Sequence, residues 1–309
     1  MKKPILAALA LCYALGAAAQ TPDTAAPEGY RFTDVKILPV TPVKDQSRSG
    51  TCWCYSTLSF LESEILRAGG PELDLSEMWI VRNIYFEKAV KYVRLHGSLN
   101  LAVGGQAHDV LHGIEAYGIV PEEVYPGLNY GYDKPNFDEI DAVIKAYADA
   151  VIKAGGKRSD SRLTTAWQAG LNGILDAYFG PMPGKFTYRG REYTPASFAA
   201  SLPIDLGDYI EFTSFTHHPF YTEFAMEVPD NWNWDKVWNV PLDEFMQIVG
   251  TATDQNGTPY YKVKNSWNTT GPYDGYWYFS RPFVAYKTMT VLVNKNAVPK
   301  AILKKIGVK

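Results

Sequence analysis

Apolar positions recur with helical spacing through the first third of the chain. Cys54, Leu58, Leu61 and Ile65 stand four, three and four apart. They mark one face of a helix that starts after Thr51, a candidate N-cap, and stops at Gly69-Gly70. A second helix is expected after Ser76, through Trp79, Ile84 and Val90, and a third over Ala107–Tyr117, ending at Gly118. Phe137–Ala154 and Thr164–Tyr178 carry further helix-like patterns, and a Trp/Pro/Asp-rich segment follows. The period changes in the last third. Ile248–Thr253 and Tyr260–Val263 flank Asn256-Gly257, a hairpin turn signal. Tyr276–Ser280 and Thr288–Val293 read as further strands, while Pro39 and Pro42 keep Phe32–Val43 extended. Helices first and strands last predict an α+β chain with two lobes.

The first nineteen residues differ from the rest. Lys2 and Lys3, the apolar run Ile5–Gly16 and the small residues Ala17–Ala19 form the pattern of a secretory signal peptide, with Gln20 as the mature N-terminus. The run is too short for a bilayer anchor, and no other stretch is long enough to span one. The expectation is an exported protein, periplasmic or secreted, with a mobile leader at Thr21–Pro27. With 309 residues, 46% of them hydrophobic, the chain has material for a sizeable core, which excludes a disulfide scaffold or a disordered protein. Its 30 basic and 33 acidic residues form no block of like charge, which argues against nucleic acid as the main partner. Cleavage removes Cys12 and leaves Cys52 and Cys54. Two residues apart on a helix, their side chains diverge by about 200°, so they do not suit a disulfide. They are either one reactive thiol with a buried neighbour or two inert buried thiols.

Cys52 follows the polar loop Lys44–Gly50 and opens a helix. There the positive end of the helix dipole and unpaired N–H groups favour a thiolate. The same N–H groups can receive the oxyanion of a tetrahedral intermediate, and Gln46 could supply a second donor.

The string Gln46…Gly50-Thr51-Cys52-Trp53…Ser56 resembles the active-site segment of papain-like cysteine peptidases, with Thr51 for the usual serine, Cys54 for alanine and Tyr55 for phenylalanine. Leu73-Asp74-Leu75-Ser76-Glu77 resembles the next signature of that family. Gly104-Gly105, followed by Tyr117–Pro121 and Tyr125-Pro126, resembles the segment whose backbone binds extended substrate. Lys264-Asn265-Ser266-Trp267 resembles the Asn-Ser-Trp motif, with Asn268 in place of the usual glycine. Phe186–Tyr188, Glu192–Pro195 and Thr213–Tyr221 resemble the bleomycin hydrolase/aminopeptidase C branch. The resemblance implies a two-lobed fold, a helical lobe carrying Cys52 and an antiparallel β lobe carrying Asn265. It treats residues 20–309 as the peptidase domain, with 130–240 as a branch-specific insertion. It implies Cys52 as nucleophile, Gln46 as oxyanion donor, Asn265 to orient an imidazole and Trp267 to shield that hydrogen bond. Gly104 and Gly105 would let a peptide backbone approach. The resemblance implies peptide substrates, cleaved from the N-terminus. Members of this branch often assemble into closed homo-oligomers.

The catalytic histidine has no counterpart. A thiol peptidase needs a base that takes the thiol proton and returns it to the leaving amine. The matching stretch is Asp243–Gly250, and no histidine follows His218. Either Glu244 has replaced it, or residues are absent at a seam near Gln247–Gly250 and the chain is internally truncated. A carboxylate near 4.3 is a weak base beside a thiol near 8.5, and its charge opposes a thiolate. Deletion accounts for both flanks, because Asn239–Met246 resembles an element that normally lies well before the histidine. The other histidines read as structural. His217 and His218 fall in a segment outside the catalytic pair, and His96 is in a loop. His108 and His112 are four apart, but no third ligand is visible, so no metal and no cofactor is assigned. Trp232, Trp234 and Trp238 read as packing rather than a sugar-stacking platform, and Lys300, Lys304 and Lys305 as a solvated tail.

Overall fold

The computed structural model describes residues 29–155, 162–245 and 252–308. The expected signal peptide with Cys12, the leader at 21–27, the seam at 247–250 and Lys309 lie outside the described residues.

Five helices build the first lobe: α1 (Cys52–Arg67), α2 (Glu77–Arg94), α3 (Ala107–Tyr117), α4 (Asp138–Gly155) and α5 (Ala166–Phe179). The apolar stripe predicted for α1 is wholly inward, with Cys54, Leu58, Leu61 and Ile65 at zero exposure. Burying each leucine or isoleucine is worth roughly 1.5–3 kcal/mol, enough to fix which face of α1 turns in. α2 is buried on most sides because α1, α3, α4 and α5 all pack on it. Ser76 caps it, accepting from Trp79 N at 3.0 Å. Thr51 occupies the N-cap position of α1 but caps nothing; its hydroxyl pairs with Ser49 Oγ at 2.5 Å instead.

Short strands form the second lobe, apart from the hairpin of Phe186–Tyr188 and Arg191–Tyr193, which packs on the helical core. The strands are β1 (Phe32–Thr33), β2 (Phe186–Tyr188), β3 (Arg191–Tyr193), β4 (Tyr209–Thr213), β5 (Thr222–Ala225), β6 (Lys236–Asn239), β7 (Ala252–Asp254), β8 (Pro259–Lys264), β9 (Tyr276–Ser280) and β10 (Val291–Asn294). One sheet runs β1-β7-β8-β9 and a second β10-β4-β6-β5, while β2 and β3 form a separate hairpin. Among the described residues the strand pairs are antiparallel, as expected, except β4 with β6, which is parallel. β6 inserts between β4 and β5, pairing antiparallel with β5, and so runs alongside β4. Phe32–Val43 is less regular than expected. Only Phe32 and Thr33 pair, and Val35, Ile37, Leu38 and Val40 are exposed.

A second apolar core gathers Phe212, Val240, Tyr261, Val284, Val298, Ile302 and Ile306. The last two belong to α9 (Lys300–Ile306), which follows α6 (Pro195–Ala199), α7 (Leu242–Phe245) and α8 (Arg281–Lys287). The C-terminal lysines are therefore on a packed helix, not a solvated tail. Trp232 is buried, Trp234 exposed and Trp238 part of β6, so they do not form one stacking surface. The lobes join where Gln46 N donates to Ser266 O at 2.8 Å and Asn268 N to Lys44 O at 3.1 Å. That junction sets the end of β8 against the loop that feeds α1.

Candidate active site

The loop before α1 is folded on itself. Ser49 donates from N and Oγ to Gln46 O, at 3.2 and 2.8 Å. Gly50 follows at φ +67°, and a Cβ there would lie 2.9 Å from Val103 Cγ1, so the turn requires glycine. The chain then enters α1 with Cys52 exposed at its first position. Cys54 N and Tyr55 N donate to Thr51 O at 2.9 and 3.2 Å, so the N–H groups left without an acceptor within the helix are those of Cys52 and Trp53. Cys54 faces the core, its thiol donating to Glu77 O at 3.5 Å, and burial together with Glu77 pushes that thiol well up. The pair is thus one accessible thiol and one buried neighbour.

Gln46 is buried, and its Oε1 accepts from Ser266 Oγ at 2.6 Å. With the oxygen so engaged, the –NH2 end of the amide is left as the donor. Cys52, Asn265 and Ser266 line one cavity of about 450 Å³, with Lys44 and Lys264 also in its wall. Asn265 also lines a neighbouring cavity of about 460 Å³ that contains Trp267 and Trp277. Trp267 is exposed and meets Trp277 edge-on at 5.9 Å. Asn265 Oδ1 accepts from Ser266 N at 2.8 Å. The structure thus gathers Cys52, Gln46, Asn265 and Trp267 at the lobe junction. The hydroxyl of Ser266 was legible within the Asn-Ser-Trp motif; its partner Gln46, 220 residues away, was not.

Gly104 and Gly105 do not line that cavity. Gly105 backs onto the Trp53 ring, where a Cβ would lie 2.8 Å from Cε2. Trp53 Nε1 donates to Val103 O at 3.0 Å, tying this loop to the start of α1. The space over Gly104 belongs to Asp230, whose Oδ1 would lie 2.3 Å from a Cβ. The closeness permitted by glycine here admits a side chain of the protein itself, which no sequence signal announced.

None of the five histidines lines the cavity with Cys52. His108 Nδ1 lies 2.8 Å from Glu211 Oε2, His112 Nε2 is 2.9 Å from Glu87, and His218 stacks on Phe224 at 3.8 Å. His217 contacts Phe215 and His218, and His96 lies in a loop. Glu244 is no substitute either. Its Oε1 accepts from Lys305 Nζ at 2.5 Å and Tyr221 OH at 3.0 Å. Lys264 donates to Thr41 Oγ1 and to Ser59 Oγ at 3.1 and 2.7 Å. Ser59 lies about 10 Å along α1 from Cys52, at 1.5 Å per residue, so this ammonium does not reach the thiol.

Behind Cys52 the lobe junction holds a buried ionic cluster. Lys44 Nζ contacts Asp74, Glu77 and Glu62 at 2.6, 2.7 and 2.9 Å. Burial alone would lower Lys44, but Glu77, Glu62 and Asp74 outweigh it and hold it well above the usual range. Burial raises Glu77 to about 7 and, with Glu77 adding, Glu122 to about 8. An acid raised in the folded state keeps protons that the unfolded chain releases above 4.5. Its contribution to stability is present in acid and falls as pH rises through that window. The melting temperature is expected to drop between about pH 5 and about pH 8, less steeply in Glu122→Gln. Calorimetric scans across that range check it; equal slopes for both proteins would contradict the assignment.

Residues 26–142 match the papain family of cysteine proteases. Cathepsin L1 of Drosophila melanogaster is 28% identical over 235 residues, 75% of this chain and 48% of that protein. Aminopeptidase G of Lactobacillus delbrueckii subsp. lactis is 22% identical over 261 residues, 71% of this chain and 58% of that protein. The chain thus spans about half the length of the curated relatives it matches. The crystal structure of PepW from Lactobacillus rhamnosis superposes with a TM-score of 0.68 at 20% identity, over 89% of this chain and 84% of that one.

Proposed function

We propose, from the premise that this chain carries a papain-family domain in a papain-like fold, that it is a cysteine-type peptidase of the aminopeptidase C/bleomycin hydrolase type. The observation that carries the reading is an exposed Cys52 at the head of α1, sharing a cavity with Asn265 beside a Gln46 amide held by Ser266. In the step this site would perform, Cys52 Sγ bonds to a peptide carbonyl carbon and the C–N bond breaks. The oxyanion takes N–H groups from the first turn of α1 and from Gln46, the thiol proton passes to the leaving amine, and water then releases the acyl group. Peptides are the substrate class. Release of N-terminal residues is the mode met in aminopeptidase relatives, and export through residues 1–19 is the route. Among the described residues, no helix is long and apolar enough to cross a membrane.

A second reading has its own support. With no imidazole lining the cavity, the proton has no carrier, and the chain would bind peptides without turning them over. One experiment separates the two. A peptidyl epoxide, a simple alkylating agent and a fluorogenic aminoacyl amide are applied to the wild type and to Cys52→Ser, with adducts mapped by mass spectrometry. Adduct at Cys52 but not Cys54, formed faster with the epoxide, together with Cys52-dependent turnover, supports the peptidase. The same labelling preference without turnover supports the binder. No preference for the peptidyl reagent overturns both.

A further inference from the structure

Away from the Cys52 cavity, the first turn of α3 meets β4 and the residue preceding β6. His108 Nδ1 lies 2.8 Å from the Oε2 of Glu211, a carboxylate that can only accept, so Nδ1 carries the hydrogen and, in the neutral ring, Nε2 presents its lone pair. Nε2 is buried and makes no hydrogen bond, with Asp235 Oδ2 3.8 Å away. Glu211 is more than nine-tenths buried, and its Oε1 has no partner. Asp109, 2% exposed, completes the group; donor atoms of His108, Asp109 and Asp235 lie within 4.8 Å of one another. Both aspartates are held in place. Trp232 Nε1 and Gln106 N donate to Asp109 at 2.8 and 2.7 Å. Asn231 accepts from Asp235 N at 3.0 Å and donates to Asp235 O at 2.9 Å. Three carboxylates face this imidazole. The nearby ammonium groups are Lys88, toward Asp109, and Lys91, toward Asp235.

We propose that His108 Nε2, Asp109 and Asp235 bind a divalent cation of the zinc class, with Glu211 fixing the imidazole from behind. An imidazole nitrogen with carboxylates selects Zn2+ and its neighbours over the hard ions Mg2+ and Ca2+. Donors about 2.0–2.2 Å from a tetrahedral ion sit roughly 3.3 Å apart, so the 3.8 Å gap closes with a small movement of the part-exposed Asp235 side chain. Water supplies the fourth ligand. The carboxylate behind a metal-bound histidine is a recurrent device that sets its tautomer. Burial lowers the tendency of His108 to hold a proton, and Glu211, Asp109 and Asp235 outweigh it, so a proton is the competing occupant. The bound ion would tie the helix after Gly104-Gly105 to the strand lobe.

Metal-stripped full chain is titrated with ZnCl2 by calorimetry and with CoCl2 by visible absorption, at neutral pH, alongside thermal unfolding. Expected are one equivalent of zinc, a raised melting temperature and cobalt d–d bands of low coordination number. Asp235→Asn and Glu211→Gln should weaken binding by about tenfold or more. His112→Ala and Cys52→Ser, outside the cluster, should bind as the wild type does. No saturable binding by the wild type, or undiminished affinity in both Asp235→Asn and His108→Ala, would overturn the site and leave the cluster closed by a proton.

Discussion

Imidazole supplied in solution is expected to raise the Cys52-dependent hydrolysis of an aminoacyl amide by about tenfold or more. Acyl transfer from an amide needs a group that removes the thiol proton and then protonates the departing nitrogen. Such general acid–base catalysis contributes roughly 10²–10⁴ in rate. The proposed nucleophile Cys52 and the Gln46 amide are in place, but none of the histidines lines the cavity with Cys52. That cavity, about 450 Å³, lies within the size range of small-molecule pockets and has Asn265 in its wall. A free imidazole can therefore occupy the ground between thiol and amide. The rate should saturate with imidazole concentration and vanish in Cys52→Ser. It should saturate at a lower value in Asn265→Ala, which removes the side-chain amide from the cavity wall. No rescue in a protein of native circular dichroism would mean that Cys52 is not placed to attack a bound carbonyl.

Lys44→Met is expected to cost about 3–5 kcal/mol, the range for removing one partner of a buried ionic cluster. Glu62 and Glu77 are 0% and 2% exposed, and both contact Lys44. The desolvation of these carboxylates is tolerable only while that ammonium stands between them. Glu62 also accepts from Thr41 Oγ1 at 2.6 Å and Leu75 N at 2.9 Å, so it cannot swing out to water without breaking the junction. Asp74, largely exposed, matters least. The melting temperature should fall by roughly 10 °C in the variant. Lys134→Met, which breaks a pair with Asp45 on the surface, should stay within about 1 kcal/mol. A loss below 1 kcal/mol for Lys44→Met, measured by denaturant unfolding, would show that the cluster is screened by water.

The first lobe was legible because its helices are long. Over α1 to α3 the apolar positions repeat for several turns, and Ser76 and Gly118 mark ends that the structure keeps. The strands of 186–239 were not legible. At three to five residues they complete barely two alternations, and one of them, β4, also pairs with β10, some eighty residues on. Glu244 shows a related limit. Its position in the aligned stretch made it a candidate base, and only α9 folding back to offer Lys305 reveals its partner.

By itself the sequence singled out the candidate residues: a thiol opening a helix, a glutamine six residues before it, an Asn-Ser-Trp near the end, and no histidine after His218. Spacing along one chain segment encodes such things, since helix geometry is local. Tertiary structure alone decided that Ser266 holds Gln46, that Asp230 fills the space over Gly104, and that Lys44 neutralises buried acids. These are encounters between segments distant in the chain. They are selected by burying apolar faces and pairing the polar groups trapped with them, and no local pattern records the outcome.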